Sequence, residues 1–286
     1  MIVSCEPMAC RTWSSVSTIP KVRIDVDKSL LLGAVGLSVE RDGMILQGVE
    51  WKVRKGEHWV ILGANGSGKS TLLNVFNAFI APTEGRLFAF GREYGEDDWN
   101  EVKEGIGYVG SEVNRMIEPG ESGLDVVVSG ARAMINFWGE TNPKEQRAAR
   151  SILRRLGCLA LEKRYWRQAS QGERQKLLFG RALMAKPKVL FLDEPCAGLD
   201  PVARSSYLEF MESNAFRPRS PSLVLVTHHV EEITPSFTHA LLLSEGRVVA
   251  CGIKEEVLTS RNLSIAFGSK IRLRRRARSY GLTVLG

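Results

Sequence analysis

The chain has 286 residues, 44% of them hydrophobic, which suffices for one large domain or two small ones; no run approaches the ~18 consecutive apolar residues of a membrane-spanning helix. Its five cysteines are scattered without a C-x-x-C pair, which argues against a zinc site or a disulfide framework and makes a reducing compartment the default. The formal charge of +7 is almost entirely local: Lys270, Arg272, Arg274, Arg275, Arg276 and Arg278 account for six of it, so the body is nearly neutral and its overall basicity says little about partners.

Residues 1–22 are rich in Ser, Cys and Thr and lack the apolar core of a secretory signal. They read as a flexible extension; their low acidity faintly resembles an organelle transit peptide. A domain then spans residues 23–267. Val35, Leu37 and Val39 alternate, Arg41-Asp-Gly43 reads as a turn, and short strands follow at Met44–Leu46 and from Val49 to Val53. Together they predict a small antiparallel sheet. The apolar run His58–Leu62 predicts a buried strand, and Thr71–Ile80 has apolar residues at helical spacing.

Between that strand and helix lies Gly63-Ala64-Asn65-Gly66-Ser67-Gly68-Lys69-Ser70-Thr71, which matches G-x-x-x-x-G-K-[ST]. The glycines let successive N–H groups converge on phosphate oxygens, and the helix start adds the positive end of its dipole. Lys69 suits the β- and γ-phosphates and Ser70 suits Mg²⁺. A strand before and a helix after set this match apart from an ordinary glycine-rich turn.

Further along, Arg86–Phe90 and Gly107–Val109 are strand candidates. Helices are expected over Ser122–Trp138 and from Asn142 to Leu156, with Asn142 as N-cap and Pro143 in the first turn. Residues of about 112–168 thus form a mainly helical insertion. A helix from Ser170 to Met184 opens on an S-x-x-E capping box, Ser170 with Glu173. The strand Val189–Leu192 follows and delivers Asp193 and Glu194 to one sheet edge. There Asp193 suits the Mg²⁺ shell and Glu194 suits a general base polarising water. A helix over Pro201–Ser213, a strand over Leu223–Val226, a short helix near Val230–Ile233 and a strand pair at Ala240–Leu243 and Val248–Ala250 complete the pattern. The fold class is therefore α/β: a P-loop NTPase with a mainly parallel core sheet, an N-terminal antiparallel β subdomain and an inserted helical subdomain. Residues 268–286 form a basic tail. Its apolar and basic residues alternate as in a β-hairpin with a charged face, a reading preferred over a nucleic-acid arm because no aromatic residues interleave the arginines. An anionic lipid surface could also attract the cluster.

In combination these motifs resemble the ATP-binding cassette (ABC) family over residues 24–267. Ala169-Ser-Gln-Gly-Glu173 is similar to its signature motif, usually Leu-Ser-Gly-Gly-Gln: Ala169, Gln171 and Glu173 differ, while Ser170 and Gly172 stay. Glu194-Pro-Cys-Ala-Gly-Leu-Asp200 resembles the D-loop and Val226-Thr-His228 the histidine switch. The resemblance implies a cytoplasmic ATPase, peripheral at a membrane's inner face, that uses ATP and Mg²⁺. It implies a homodimer, or a heterodimer with a second ABC domain, in which each ATP lies between one P-loop and the partner's Ser170 and Gly172. It assigns catalysis to Glu194, His228 and Lys69. His228 would sense or stabilise the γ-phosphate, while His229 points elsewhere if the strand continues. Integral membrane subunits on other chains would carry the transport path. Two rivals are a soluble ABC ATPase acting on nucleic acid or ribosomes and an ATP-gated binding module. A single cassette without long coiled coils favours transport over the first.

Two departures stand out. Where ABC proteins often place an aromatic against adenine, this chain has Arg41, whose guanidinium could stack on a base or simply occupy an exposed turn. Where the Q-loop glutamine is expected, after Ile106–Val109, it has Ser111. Ser111 could reach the metal only through water, Glu112 could substitute for it, or Ser111 is an ordinary loop serine.

Overall fold

The computed structural model describes residues 29–132, 136, 142–215, 220–276 and 279–285. The N-terminal extension of residues 1–22, and most of the stretch after Arg132 through which a helix is expected to Trp138, lie outside them.

Strands β1 (Leu30–Glu40) and β2 (Met44–Arg54) pair antiparallel about the turn at Arg41–Gly43. The two short strands expected at Met44–Leu46 and Val49–Val53 are one continuous strand with irregular register. β3 (Trp59–Leu62) leads to α1 (Lys69–Phe76). β4 (Glu84–Ala89) then returns to pair with β1, and β5 (Arg92–Glu93) pairs with β4. The antiparallel sheet therefore has the order β2-β1-β4-β5 and draws half its strands from beyond the P-loop.

Next come α2 (Trp99–Glu104), β6 (Ile106–Gly110) and the helices α3 (Ser111–Met116), α4 (Gly123–Ser129) and α5 (Pro143–Arg155). The regular helix expected from Ser122 stops at Ser129 and tightens into one 3₁₀ turn, Gly130–Arg132. Asn142 caps α5, its side chain accepting from Lys144 N at 2.9 Å, with Pro143 in the first turn. α6 (Gln171–Met184), β7 (Val189–Asp193), α7 (Pro201–Ala215) and β8 (Ser222–Thr227) follow. The short helix expected at Val230–Ile233 is a single 3₁₀ turn over Val230–Glu232. β9 (His239–Ser244), β10 (Arg247–Ile253), α8 (Lys254–Val257) and α9 (Ser260–Phe267) complete the α/β part.

The second sheet runs β10-β9-β3-β8-β7-β6, parallel throughout except for the β9–β10 hairpin. Its central strands are apolar on both faces, as a sheet covered on both sides requires. Residues alternate between two cores. Val60, Leu62, Leu190, Leu192, Leu223 and Leu225 face the cluster formed with α4 to α7. Trp59, Ile61, Val189, Phe191, Val224 and Val226 face the antiparallel sheet and α1. Because β3, β6, β7 and β8 run the same way, the segments at residues 63, 111, 194 and 228 all leave one edge, where ligands bind in open α/β sheets.

Two strands end the chain: β11 (Ile271–Arg275) pairs antiparallel with β12 (Tyr280–Val284). Ile271, Leu273, Tyr280 and Leu282 pack on the core. Arg272 and Arg274 are exposed, whereas Arg275 donates to the carbonyls of Glu255 and Leu258.

Phe76 joins the two layers at the end of α1. It meets Trp51 and Phe191 edge-on, with centroids 5.7 and 6.2 Å apart, and its carbonyl accepts from Trp99 Nε1 at 2.9 Å. Replacing it opens a cavity that rigid strands cannot close, so Phe76→Ala is expected to cost about 3–5 kcal/mol. Urea unfolding measures this; a loss below about 1 kcal/mol would contradict the packing described.

Candidate active site

β3 is buried along its whole length and α1 starts at Lys69, so residues 63–68 are the turn between them. Gly68 is the N-cap, with φ +98, a left-handed conformation that favours glycine. A Cβ there would also stand 2.6 Å from Leu46 Cδ2, so β2 packs directly on the turn. No side chain caps α1 and no acid of its own lies in its first turn, which leaves its first N–H groups without a side-chain cap. Asn65 and Gly66 are exposed, Ala64 and Thr71 are partly so, and Ser67, Gly68 and Lys69 are buried.

Lys69 is only 5% exposed. Its Nζ donates to the carbonyls of Gly63 at 3.0 Å and Ala64 at 2.8 Å. Burial lowers its pKa, while Glu194 and Asp193 pull the other way. Ser67 Oγ is buried without a hydrogen-bond partner. This setting fits a phosphate chain: a buried cation, a helix start without a side-chain cap and an unused donor.

β7 places Asp193 beside α1. Ser70 Oγ donates to Asp193 Oδ1 at 3.1 Å, and the Tyr108 hydroxyl donates to Oδ2 at 3.0 Å. Burial raises the Asp193 pKa and these two hydrogen bonds oppose the rise. Ser70 and Asp193 form an all-oxygen donor pair of the kind that suits Mg²⁺.

Glu194 has φ +48, a left-handed conformation costing a non-glycine residue about 1–2 kcal/mol. Its N–H donates to Val226 O at 2.9 Å on the adjacent β8. One residue beyond β8, His228 Nδ1 lies 3.1 Å from Glu194 Oε1. Thr227 Oγ1 holds this corner: it donates to Glu232 Oε2 at 2.7 Å and accepts from His229 N at 3.0 Å. Glu232 is 2% exposed, and burial raises its pKa against the Thr227 hydrogen bond. His229 is expected to point elsewhere only if the strand continues, and it does not continue. β8 ends at Thr227, strand alternation ends with it, and the two imidazoles lie with centroids 4.0 Å apart.

The structure thus brings together Lys69, Ser70, Asp193, Glu194 and His228. Ser170 and Gly172 sit apart, at the start of α6. Ser170 caps that helix in a full capping box: its N–H donates to Glu173 Oε2 at 2.8 Å and its Oγ accepts from Glu173 N at 3.3 Å. Arg164 holds the other Glu173 oxygen at 2.7 Å. Arg41 is exposed in the β1–β2 turn, its N–H donating to Gly43 O at 2.9 Å. Ser111 is exposed as the first residue of α3, followed by an exposed Glu112.

Sequence reasoning missed three contacts. Tyr108 reaches Asp193 through strand register, and Glu232 anchors the histidine corner through a turn. Gln171, where the signature motif usually has glycine, donates from Nε2 to Ala197 O at 2.7 Å. Ala197 N in turn donates to Glu194 O at 3.0 Å. Only for Gln171 did the sequence carry a signal, the glycine replaced by a side chain able to reach.

Fold and site together define a P-loop ATPase. Comparison with known proteins narrows the class. The sequence model of the family described as ABC transporter matches residues 46–197. The uncharacterized ABC transporter ATP-binding protein YlmA of Bacillus subtilis (strain 168) is 39% identical over 245 residues, covering 85% of this chain and 92% of that protein. An ABC transporter ATP-binding protein of Streptococcus mutans serotype c (strain ATCC 700610 / UA159) is 35% identical, covering 85% and 94%. Among solved structures, cbiO1 from Clostridium perfringens, part of the ABC transporter complex cbiONQ, superposes with a TM-score of 0.71 at 26% identity, covering 82% of this chain and 92% of that one. The chain belongs to the ABC transporter ATP-binding family and is an ABC ATPase. No helix among the described residues is long and apolar enough to cross a membrane.

The Gln171–Ala197 hydrogen bond ties the α6 start to the segment after Glu194. Gln171→Gly is expected to speed amide hydrogen exchange at Ala197 to Leu199 about 5- to 10-fold, the effect of losing one hydrogen bond of ~1 kcal/mol. Exchange monitored by mass spectrometry tests this; unchanged protection would show that the contact does not restrain the segment.

Proposed function

We propose that this chain is the ATP-hydrolysing subunit of an ABC transporter, dimerising head to tail around two ATP molecules to drive transport by separate membrane subunits. One observation carries the reading. Lys69, Ser70, Asp193, Glu194 and His228 converge on one sheet edge, while Ser170 caps the start of α6, which Gln171 links to the segment after Glu194. Among the described residues, Ser170 hydrogen-bonds to Glu173 and Arg174, not to residues 63–71. Its α6 dipole end is therefore available to a second molecule's nucleotide.

In this reading residues 63–69 wrap the triphosphate, and Lys69 gives up its two carbonyls for phosphate oxygens. Ser70 and Asp193 hold Mg²⁺, which supplies charge neutralisation when bound. Glu194 accepts the proton of the attacking water, and His228, 3.1 Å away, orients that carboxylate and can in turn contact the γ-phosphate. The partner's Ser170 and Gly172 complete the charge stabilisation that phosphoryl transfer needs in place of covalent chemistry. Arg41 lies where a base-stacking group is expected and would contribute its guanidinium plane. The relatives' descriptions as ABC transporter ATP-binding proteins support transport as the task, and a homodimer or a paired homologous cassette both satisfy the geometry. In the arginine hairpin the aromatic Tyr280 packs on the core rather than presenting a stacking face, which favours transport over a nucleic-acid role.

Glu194→Gln tests the assignment of the base. Turnover is expected to fall about 10²- to 10⁴-fold, while ATP binding persists and ATP now traps a dimer in sedimentation velocity. Undiminished turnover would remove Glu194 from the chemistry, and a monomer with ATP bound would remove the shared pocket.

A further inference from the structure

Asp193 is gripped at both oxygens, but only one of its partners belongs to a recognised motif. Ser70, from the P-loop, donates to Oδ1, and Tyr108, from β6, donates to Oδ2 at 3.0 Å. β6 is the edge neighbour of β7, and in their parallel register Asp193 pairs with Gly110, while Tyr108 pairs with Phe191. The Tyr108 side chain must therefore lean along its own strand to reach Asp193. Gly110 is what permits it. A Cβ at position 110 would stand 2.7 Å from both Tyr108 Cε1 and its hydroxyl oxygen. The ring is held in this path by apolar neighbours from both cores. A bare glycine and a tyrosine two residues earlier thus form one device, aimed at one carboxylate oxygen.

The chemistry of the pair is one-directional. An ionised carboxylate only accepts, so the phenol is the donor. Charge-assisted O–H···O⁻ hydrogen bonds are strong and directional, and they fix the plane of the carboxylate they reach. Outer-shell donors of this kind orient metal-binding carboxylates and set their affinity. Ser111 is exposed at the start of α3, and its side chain is shorter than the amide expected there.

We propose that Tyr108 is a positioning residue of the Mg²⁺ site, fixing Asp193 from strand β6 so that the metal shell is set without any contribution from residue 111. This rests on Ser70 and Asp193 holding the metal. In consequence the metal site is wired to the rigid sheet rather than to the loop. Movement of the loop can then change without disturbing Mg²⁺, and the shell is built before any partner protein docks.

The test is calorimetric titration of the full chain with the non-hydrolysable imido analogue of ATP, once in Mg²⁺ and once in EDTA. Wild type is expected to bind more tightly in Mg²⁺. Tyr108→Phe keeps the ring and deletes only the donor. It should leave the affinity in EDTA unchanged and cut the Mg²⁺-dependent gain about tenfold, the lower end of what outer-shell substitutions cost a metal site. Gly110→Ala, which displaces the ring with its hydroxyl intact, should behave as Tyr108→Phe does. Ser111→Ala should retain the full gain. A Tyr108→Phe protein with the wild-type gain, or a Ser111→Ala protein that loses it, would overturn the inference. A wild type that gains nothing from Mg²⁺ would instead overturn the assignment of Ser70 and Asp193 beneath it.

Discussion

The buried ammonium of Lys69 is the charge around which the site is arranged. Taking a cation out of water is costly unless its donors are met and opposite charge lies near. Here two P-loop carbonyls accept its protons and the carboxylates of Asp193 and Glu194 supply the field. Each of these groups is fixed by something rigid: the carbonyls by the turn between β3 and α1, the carboxylates by the end of β7. In the proposed function a polyanion entering this pocket would take over a cation already positioned and partly desolvated, leaving little reorganisation for binding. The left-handed backbone at Glu194 is part of the same arrangement. Its N–H is fastened to β8, and the strain it stores is sustained by the strands on either side.

The sheet makes this possible because it is apolar on both faces. Alternate residues of β3, β7 and β8 serve different cores, so neither face can slip without exposing its whole set. Register is thereby fixed, and register decides which side chains meet at the carboxyl edge. The pairing of Asp193 with Gly110 brings Tyr108 to Oδ2. The pairing of Asp193 with Val226 brings His228 to Glu194. The geometry of the candidate site is a consequence of packing several residues away. A second chain of hydrogen bonds, from Gln171 through Ala197 to Glu194, joins the start of α6 to the same edge.

Much of this was legible in the residues. Gly63–Thr71, Asp193 and Glu194 announce themselves because a glycine-rich G-x-x-x-x-G-K-[ST] run sits between a strand and a helix, and an apolar strand ends in two acids. Ser170 does so because its capping box is a local device. The strands of the parallel sheet could be read from short apolar runs, and the basic tail from its alternation. What could not be read depends on contacts distant in sequence or on where an element stops. β4 joins β1 rather than forming a unit of its own, since nothing in Arg86–Phe90 names its partner. His229 lies against His228 because β8 ends at Thr227 and strand alternation does not reach the two histidines. Tyr108 and Glu232 act through partners 85 and 5 residues away, the first set by register and the second by a 3₁₀ turn, and neither leaves a spacing pattern.

The account stands or falls on the grip being exerted on the phosphate tail, not on the base or ribose. Calorimetric titration of the wild-type chain with ATP, ADP and AMP in Mg²⁺ measures this directly. The proposed role of Lys69 at the β- and γ-phosphates predicts firm binding of ATP and ADP and none of AMP, which has neither. Binding of AMP as tightly as ATP, or of none of the three, would contradict it.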